Sequence, residues 1–575
     1  MPWRTLHERS ALVVTATLCL FVLVTYVGVV ENGDVWDDVT LLAKNPHLTS
    51  AEGVLSLFSH DMWTASAQGD TGHYYRPLAM VTFALNRWVA GNTSLSYHAG
   101  NVLLHVLAAI AVLSLLRRVS GGTLSGPMAG ALFFALHPML TEAVAWSSGR
   151  FDALAALLSV AAVASHMRGG TAGRVGTSVA FGLALLSKES ALCVPLLLAA
   201  YDLTFRGRPV RAWVLGHVGP AVVLVLYFAI RSAVGLAGPS LLSEHGVDLV
   251  KGYAFNLITF LPRLLVPFET TAFRPYDPPS WQATGLALAA AATITGLAGW
   301  ATTRWPSSRS RALVWGWLWF ILALLPTAVA GSKLEVVGDR YAYLPAVGLA
   351  IVAASAVDAG LDHLRSQGCS QGCSRFAFLL AASVLGLGWL SLAWQSGNRV
   401  RDWRSEWTVF EAELRANPSN HVAHRALGAI LAREGRFDDA RERLLLAVGF
   451  APSDWRAWNV LCFTELNRNR LVEAEMACRN SVRGATLDPS PWVNLASVLA
   501  RGGRWTETIP AAQHALFLEN DHAEARYLMA VSLANLGRIP EAIQEAHRVV
   551  SLQPDHGGAR SLLAQIRERG VVESP

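Results

Sequence analysis

The sequence predicts an all-α protein in two parts: a polytopic membrane helix bundle of about 11 spans over residues 1–400, then an α-solenoid over 401–575. Three observations predict it. Apolar residues make up 52% of the 575-residue chain and charged residues only 15%, well below the quarter or so usual in soluble domains. Long apolar runs joined by short Arg-rich segments fill the first 400 residues. The remainder has ordinary soluble composition and an internal period of 34 residues. Twenty Trp suit a protein with many membrane–water boundaries. The net charge of +5 argues for no nucleic-acid partner, because the Arg residues sit at the ends of apolar runs rather than on one face.

The first run, Ala11–Val30, follows Arg4 and Arg9 and is long enough to stay in the bilayer as an uncleaved signal-anchor. An acidic first outer loop follows over residues 31–96, with Asn45-Pro46-His47, Tyr74-Tyr75-Arg76-Pro77 and amphipathic pieces carrying Trp63 and Trp88. The further runs are His98–Leu116, Pro127–Trp146, Ala153–Met167, Val175–Leu186, Ala191–Leu203, Ala212–Ile230, Tyr253–Phe268, Ala283–Thr302, Ala312–Ala330, Tyr341–Val357 and Phe376–Trp394. Val175–Leu186 and Ala191–Leu203 read either as one broken helix or as two short spans.

The distribution of Arg arbitrates. If that pair counts as two crossings and Tyr253–Phe268, with Pro262 and Arg263 inside it, does not cross, six clusters fall on one side. They are Arg4/Arg9, Arg117/Arg118, Arg168/Arg174, Arg206/Arg208/Arg211, Arg304/Arg309/Arg311 and Arg365/Arg375. Eleven crossings with a cytoplasmic amino terminus satisfy the rule. The acidic loop and the solenoid then face the extracytoplasmic side.

In the solenoid the tetrads Gly435-Arg436-Phe437-Asp438, Asn469-Arg470-Leu471-Val472, Gly503-Arg504-Trp505-Thr506 and Gly537-Arg538-Ile539-Pro540 recur every 34 residues. Pro418, Pro452 and Pro554 keep the same phase, whereas Pro489 comes three residues late. A helix–turn–helix unit of this period with Gly at the turn is the tetratricopeptide signature, and Ala440, Ala474 and Ala542 supply the small residues that let paired helices approach. Four to five such repeats exceed the minimum of about three that share a continuous core. Their concave surface suits extended segments of other proteins. The six Cys read as ordinary thiols; the nearest pair, Cys369 and Cys373, has no second pair or His at metal spacing.

Ionisable residues are costly in a membrane, so their positions inform. In the first outer loop Asp37 and Asp38 are adjacent, after Trp36, and Arg76 lies further along it. His137 and Glu142 flank the outer end of the third run; Arg150 and Asp152 form the next outer turn; Lys188 and Glu189 lie at another; Asp339, Arg340 and Tyr341 lie at the last. Cations and carboxylates thus gather at outer joints, while the inner joints carry mostly Arg. That asymmetry fits a polar cavity opening outward, with cations for a phosphate and carboxylates for acid–base work. Each pair taken singly is equally a structural ion pair at a helix end, His137 equally a cap on a kink at Pro138, and Asp37-Asp38 equally a solvated turn.

The ordered motifs resemble a known family. Asp37-Asp38, Tyr75-Arg76-Pro77-Leu78, Tyr97-His98 with Asn101-Val102-Leu103-Leu104-His105, Ala135-Leu136-His137-Pro138 with Thr141-Glu142-Ala143-Val144-Ala145-Trp146, Gly149-Arg150-Phe151-Asp152, Leu186-Ser187-Lys188-Glu189 and Asp339-Arg340-Tyr341-Ala342-Tyr343-Leu344-Pro345 follow the order of that family. It is the transmembrane and tetratricopeptide-repeat O-mannosyltransferases, within the GT-C glycosyltransferases. The chain resembles a bacterial member, which implies an inner-membrane location. The resemblance implies sugar transfer from a polyprenyl-phosphate donor to protein Ser or Thr hydroxyls on the outer side. It places Asp37 at the catalytic base and Asp38 at a second acidic position where relatives often have Glu. Arg150, Lys188 and Arg340 fall on family motifs and would meet the lipid phosphate, with Arg76, His137, Glu142, Asp152, Glu189 and Tyr341 supporting the cavity.

The chemistry stands without the family: a hydroxyl needs a carboxylate to take its proton, and a phosphate leaving group needs cations. No cofactor is expected. A divalent cation at Asp37/Asp38 would be chemically admissible, but an acidic pair without His does not demand one. The competing reading is a non-catalytic, membrane-anchored repeat scaffold for envelope or secretion complexes; buried ions argue against a pure anchor. A transporter of the lipid-linked sugar lacks the broken-helix repeats of many transporters.

Overall fold

The computed structural model describes residues 2–63, 74–120, 123–205, 210–236, 246–267, 271–329, 336–366, 371–485 and 487–568. Residues 64–73 of the acidic loop, Arg206, Arg208 and Cys369, and with it the C-x₃-C spacing, lie outside the described residues. The chain divides into two compact units, Met1–Ala412 and Glu413–Pro575, where the sequence placed the boundary at 400/401.

The first unit is a helical bundle in which apolar composition dictates the elements. Among the described residues eight helices are long and apolar enough to cross a membrane, nine if the bent pair Ser125–Leu136 and Pro138–Ala145 is one span. The chain is an integral membrane protein. Two of the eleven expected crossings fall short of that length. Val175–Leu186 and Ala191–Leu203 lie in helices Gly170–Leu185 and Val194–Phe205, of 16 and 12 residues, against the roughly 20 needed for a full span. A 3₁₀ turn over Glu189–Cys193, placed where Lys188 and Glu189 hold buried partners, interrupts what would otherwise be one longer helix. The helix Gly246–Leu265, which holds most of the segment expected not to cross, is not among the candidate spans.

Two local features shape one end of the bundle. Pro138 cannot continue the helix before it, and the chain bends by 51° between Leu136 and Pro138. His137 is the cap of that break: its Nδ1 accepts from Met139 N–H and its Nε2 lies 3.1 Å from the Leu264 carbonyl. Farther on, Arg274–Pro275 pair antiparallel with Val336–Val337, the only strand pairing among the described residues.

Among its described residues the second unit holds four helix pairs and a closing helix: His421–Arg433 with Phe437–Phe450, Trp455–Asn467 with Leu471–Gly484, Ser490–Arg501 with Trp505–Leu518, Ala523–Asn535 with Ile539–Leu552, then Gly557–Glu568. Gly435, Gly503 and Gly537 turn each pair with φ between 70° and 77°, and Asn469 takes the same left-handed conformation at 59°. Asn tolerates that region because its short amide bonds locally. Ala440, Ala474 and Ala542 are fully buried between paired helices. Contrary to the expectation of ordinary thiols, Cys462 and Cys478, on the two helices of the second pair, are joined as a disulfide. Both are buried and their Cα atoms are 5.1 Å apart, within the usual range.

Candidate functional site

The loop that leaves the first helix is pinned from several directions. Asn32 Nδ2 donates to the Val400 and Ala145 carbonyls at 3.2 and 3.4 Å, and Gly33 N–H to the Arg404 carbonyl at 3.0 Å. Trp146 Nε1–H donates to Val35 O at 3.1 Å. Trp36 is held at φ +55°, a conformation costly for an aromatic residue. Its ring packs on Phe273 (centroids 4.5 Å apart) and Phe410 (6.2 Å) yet stays 43% exposed.

This strained corner precedes two aspartates with different roles. Asp38 is fully buried; Oδ1 accepts from Ser148 N–H at 2.9 Å and Ser148 Oγ at 2.6 Å, and Oδ2 from Val35 N–H at 3.1 Å. It is the anchor of its loop, and burial raises its pKa to about 7 against the pull of those donors. Asp37 is half-buried and answers to other charges. Burial pushes its carboxyl up to about 6, and the Arg340 and then the Arg76 guanidinium hold it from rising further. A carboxylate poised near neutrality is what proton abstraction from a hydroxyl asks for.

Arg150 organises the protein rather than the ligand. Its side chain is fully buried, donating to Asn101 Oδ1 (2.7 Å), Asn86 Oδ1 (2.6 Å) and the Thr82 and Tyr97 carbonyls (3.1 and 2.8 Å), with the guanidinium over Phe83. Asn101 in turn donates to the carbonyls of Trp146 and Ser147 at 2.8 and 3.0 Å. The chain of contacts runs from Arg150 through Asn101 to the turn that offers Ser148 to Asp38. Arg150 therefore positions the acidic loop and presents no surface to a ligand.

The other cations gather on the Asp37 side. Arg340 pairs with Glu142 through both its backbone N–H (2.9 Å) and its guanidinium, which also lies over the Trp146 and Tyr341 rings at 5.0 and 4.8 Å. Lys188 Nζ donates to both oxygens of Asp152 at 2.6 Å and lies 4.9 Å from the Tyr341 ring. Burial lowers its pKa to about 8, with Asp152 opposing. Arg76 grips Glu189 Oε2 at 3.0 and 2.9 Å, under the Tyr74 ring, and Arg231 approaches Glu189 Oε1 at 3.8 Å. Arg340 thus pairs with Glu142, Lys188 with Asp152, and Arg76 and Arg231 with Glu189, and Arg340 and Arg76 also act on Asp37.

The small sheet aims Arg340. Asp339 accepts from Thr271 N–H at 2.9 Å and lies 3.5 Å from Arg274, tying the two strand segments together beside the site. Gly338 lacks a Cβ where one would strike both the Arg340 guanidinium and the Glu142 carboxylate. Of the expected residues, Asp37, Arg76, Glu142, Asp152, Lys188, Glu189, Arg340 and Tyr341 come together; Asp38 and Arg150 lie behind the loop; His137 caps the kink. Sequence reasoning named Trp36 and Tyr74 without giving them a role, and missed Arg231, the close approach at Gly338 and the Asp339–Arg274 contact. Arg231 was findable, as a charge at the end of an apolar run.

A protein O-mannosyl-transferase of Mus musculus, TMTC3, is 25% identical to this chain over 489 residues, covering 77% of this chain and 52% of the relative. The resemblance spans most of the chain. TMTC3 of Homo sapiens is 24% identical over 82% of the chain and 54% of the relative, and Tmtc3 of Drosophila melanogaster 24% over 88% and 64%. The chain spans about half the length of the mammalian relatives. A tetratricopeptide repeat family model matches residues 499–566. Among solved structures, the tetratricopeptide protein YrrB, with an unusual peptide-binding site, is 20% identical, at TM-score 0.25 over 28% of this chain and 84% of its own. TTC0263, a thermophilic tetratricopeptide protein of Thermus thermophilus, is 20% identical, at TM-score 0.24 over 34% and 96%.

Proposed function

We propose that this chain is an integral-membrane glycosyltransferase of the GT-C type. It moves a sugar, mannose or another hexose, from a polyprenyl-phosphate donor to Ser or Thr hydroxyls of proteins on the extracytoplasmic side of a bacterial inner membrane. The observation that carries this is Asp37: a half-buried carboxylate held near neutrality, with the guanidinium groups of Arg340 and Arg76 acting on it. The acceptor O–H gives its proton to Asp37 as its oxygen bonds the anomeric carbon, and the bond from that carbon to the phosphate oxygen breaks. The leaving polyprenyl phosphate carries its electron pair toward Arg340, Lys188 and Arg76, the last in place of Arg150. The prenyl chain stays in the bilayer. Both Asp38 oxygens accept from Val35 and Ser148, which supports a site that works without a resident metal at that residue.

The relatives' names support transfer to protein, and the disulfide in the repeats suits an oxidising compartment. The repeats bind extended segments of the acceptor. The test is mass spectrometry of envelope proteins from cells with and without this protein. A hexose lost from Ser or Thr of defined proteins is expected; unchanged glycans with loss of an assembled envelope complex would leave the scaffold reading instead.

A further inference from the structure

A second cluster of ligating side chains lies far from the aspartates. His166 sits near the end of the helix Arg150–Arg168, Asp202 near the end of Val194–Phe205, and His217 on Val210–Ala233. Both imidazoles address one carboxylate oxygen: His166 Nε2 is 2.9 Å and His217 Nε2 3.3 Å from Asp202 Oδ2. Among the described residues it is the one group of three His, Cys, Asp or Glu whose ligand atoms converge, all within 4.8 Å of one another. Asp152 of the site above and His166 are 14 residues apart on one helix, which is about 21 Å of rise. The cluster is separate from the site that holds Asp37.

The donor set has a specific chemistry. Two imidazoles and a carboxylate are the ligands of three-coordinate protein zinc sites that keep a fourth position for water. Zinc–ligand bonds of about 2.0–2.2 Å set ligand atoms roughly 3.3 Å apart in a tetrahedron. The His217–Asp202 separation already has that value, His166 needs to withdraw from Asp202 by a few tenths of an ångström, and the two imidazole nitrogens, no more than 4.8 Å apart, need to settle at the same spacing. His166 and Asp202 are buried, whereas the His217 side chain keeps 15% exposure, which leaves an entry path. Aromatic rings frame the imidazoles: Trp213 lies 4.6 Å from His217 and Tyr201 6.3 Å from His166. Three helices contribute one ligand each, so an ion here would fasten three segments to one another. Asp202 lies on one of the short helices that do not reach full span length, and His166 just before the other.

We propose that His166, Asp202 and His217 form a divalent transition-metal site, with zinc the ion that fits best, and that the ion clamps these three helices at the end of the bundle away from Asp37. Imidazole with carboxylate selects zinc over magnesium or calcium, which prefer all-oxygen sets.

The test uses the full chain, purified in detergent on a tag without histidine and without chelators. Elemental analysis should find about one zinc per chain. His217→Ala and Asp202→Asn should each lose it, while Asp37→Asn should keep it. Chelation should lower the melting temperature of the wild type and leave that of His217→Ala unchanged. Cobalt(II) added to chelated wild-type protein should give the visible absorption of a tetrahedral site, an assay that needs no variant to fold. Equal zinc in wild type and His217→Ala, or no tetrahedral cobalt spectrum, would overturn the proposal and leave a hydrogen-bonded His–Asp–His contact.

Discussion

At Asp37 burial and two guanidinium groups act in opposite directions on one proton, and burial wins, leaving a pKa of about 6. On the proposed mechanism Asp37 works only when ionised, so the transfer rate should rise with pH through about 6. Lys188, lowered to about 8, is a cation only below that value, so the rate should fall as pH rises through it. A bell-shaped profile is the expected outcome. Asp152→Asn removes the carboxylate that holds the Lys188 proton and should move only the falling limb, toward lower pH. A flat profile across both limbs would contradict both assignments. Arg150 behaves differently: its rigid fork meets two Asn side chains and two carbonyls at once, which a Lys ammonium cannot do. Arg150→Lys should destabilise the protein by about 2 kcal/mol or more, read as a lower melting temperature with the donor KM of the folded fraction unchanged. Arg340→Lys should raise that KM instead.

Element by element, the patterns that are strictly periodic were legible and the ones that depend on tertiary partners were not. The repeat tetrads announced their turns, down to Asn469 standing in for Gly, because the left-handed turn residue is dictated locally. The break at His137-Pro138 was equally local. Crossing number was less so: the 3₁₀ turn after Lys188 is stabilised by Asp152 and Arg76 from elsewhere in the chain, and no window of sequence contains them. The same holds for Arg150, whose motif reads as a phosphate ligand while its guanidinium bonds Asn101 and Asn86 from elsewhere in the chain. The disulfide also escaped, because Cys462 and Cys478 are brought together only by the turn of one helix pair. Closing a loop across 16 residues stabilises by about 3 kcal/mol. Peptide mapping without reductant should recover the two cysteines cross-linked, and Cys462→Ala should lower the melting temperature of the repeats. Free thiols at both positions in freshly isolated protein would contradict the oxidised pair.

For the whole molecule, each unit follows from one solvent rule. In the first, apolar helices bury ionisable side chains against partners, and one such group forms the candidate site. In the second, helix pairs share a core with their neighbours. On the proposed mechanism Asp37 takes the acceptor proton beside a cation cluster that receives the lipid phosphate. The most direct measurement is sugar transfer by purified, reconstituted protein from a polyprenyl-phosphate hexose to a Ser/Thr peptide, comparing wild type with Asp37→Asn. The variant should bind the donor as tightly or more tightly, having shed a negative charge, while transfer falls by about 10²–10⁴-fold. Transfer at the wild-type rate by a correctly inserted Asp37→Asn protein would contradict it.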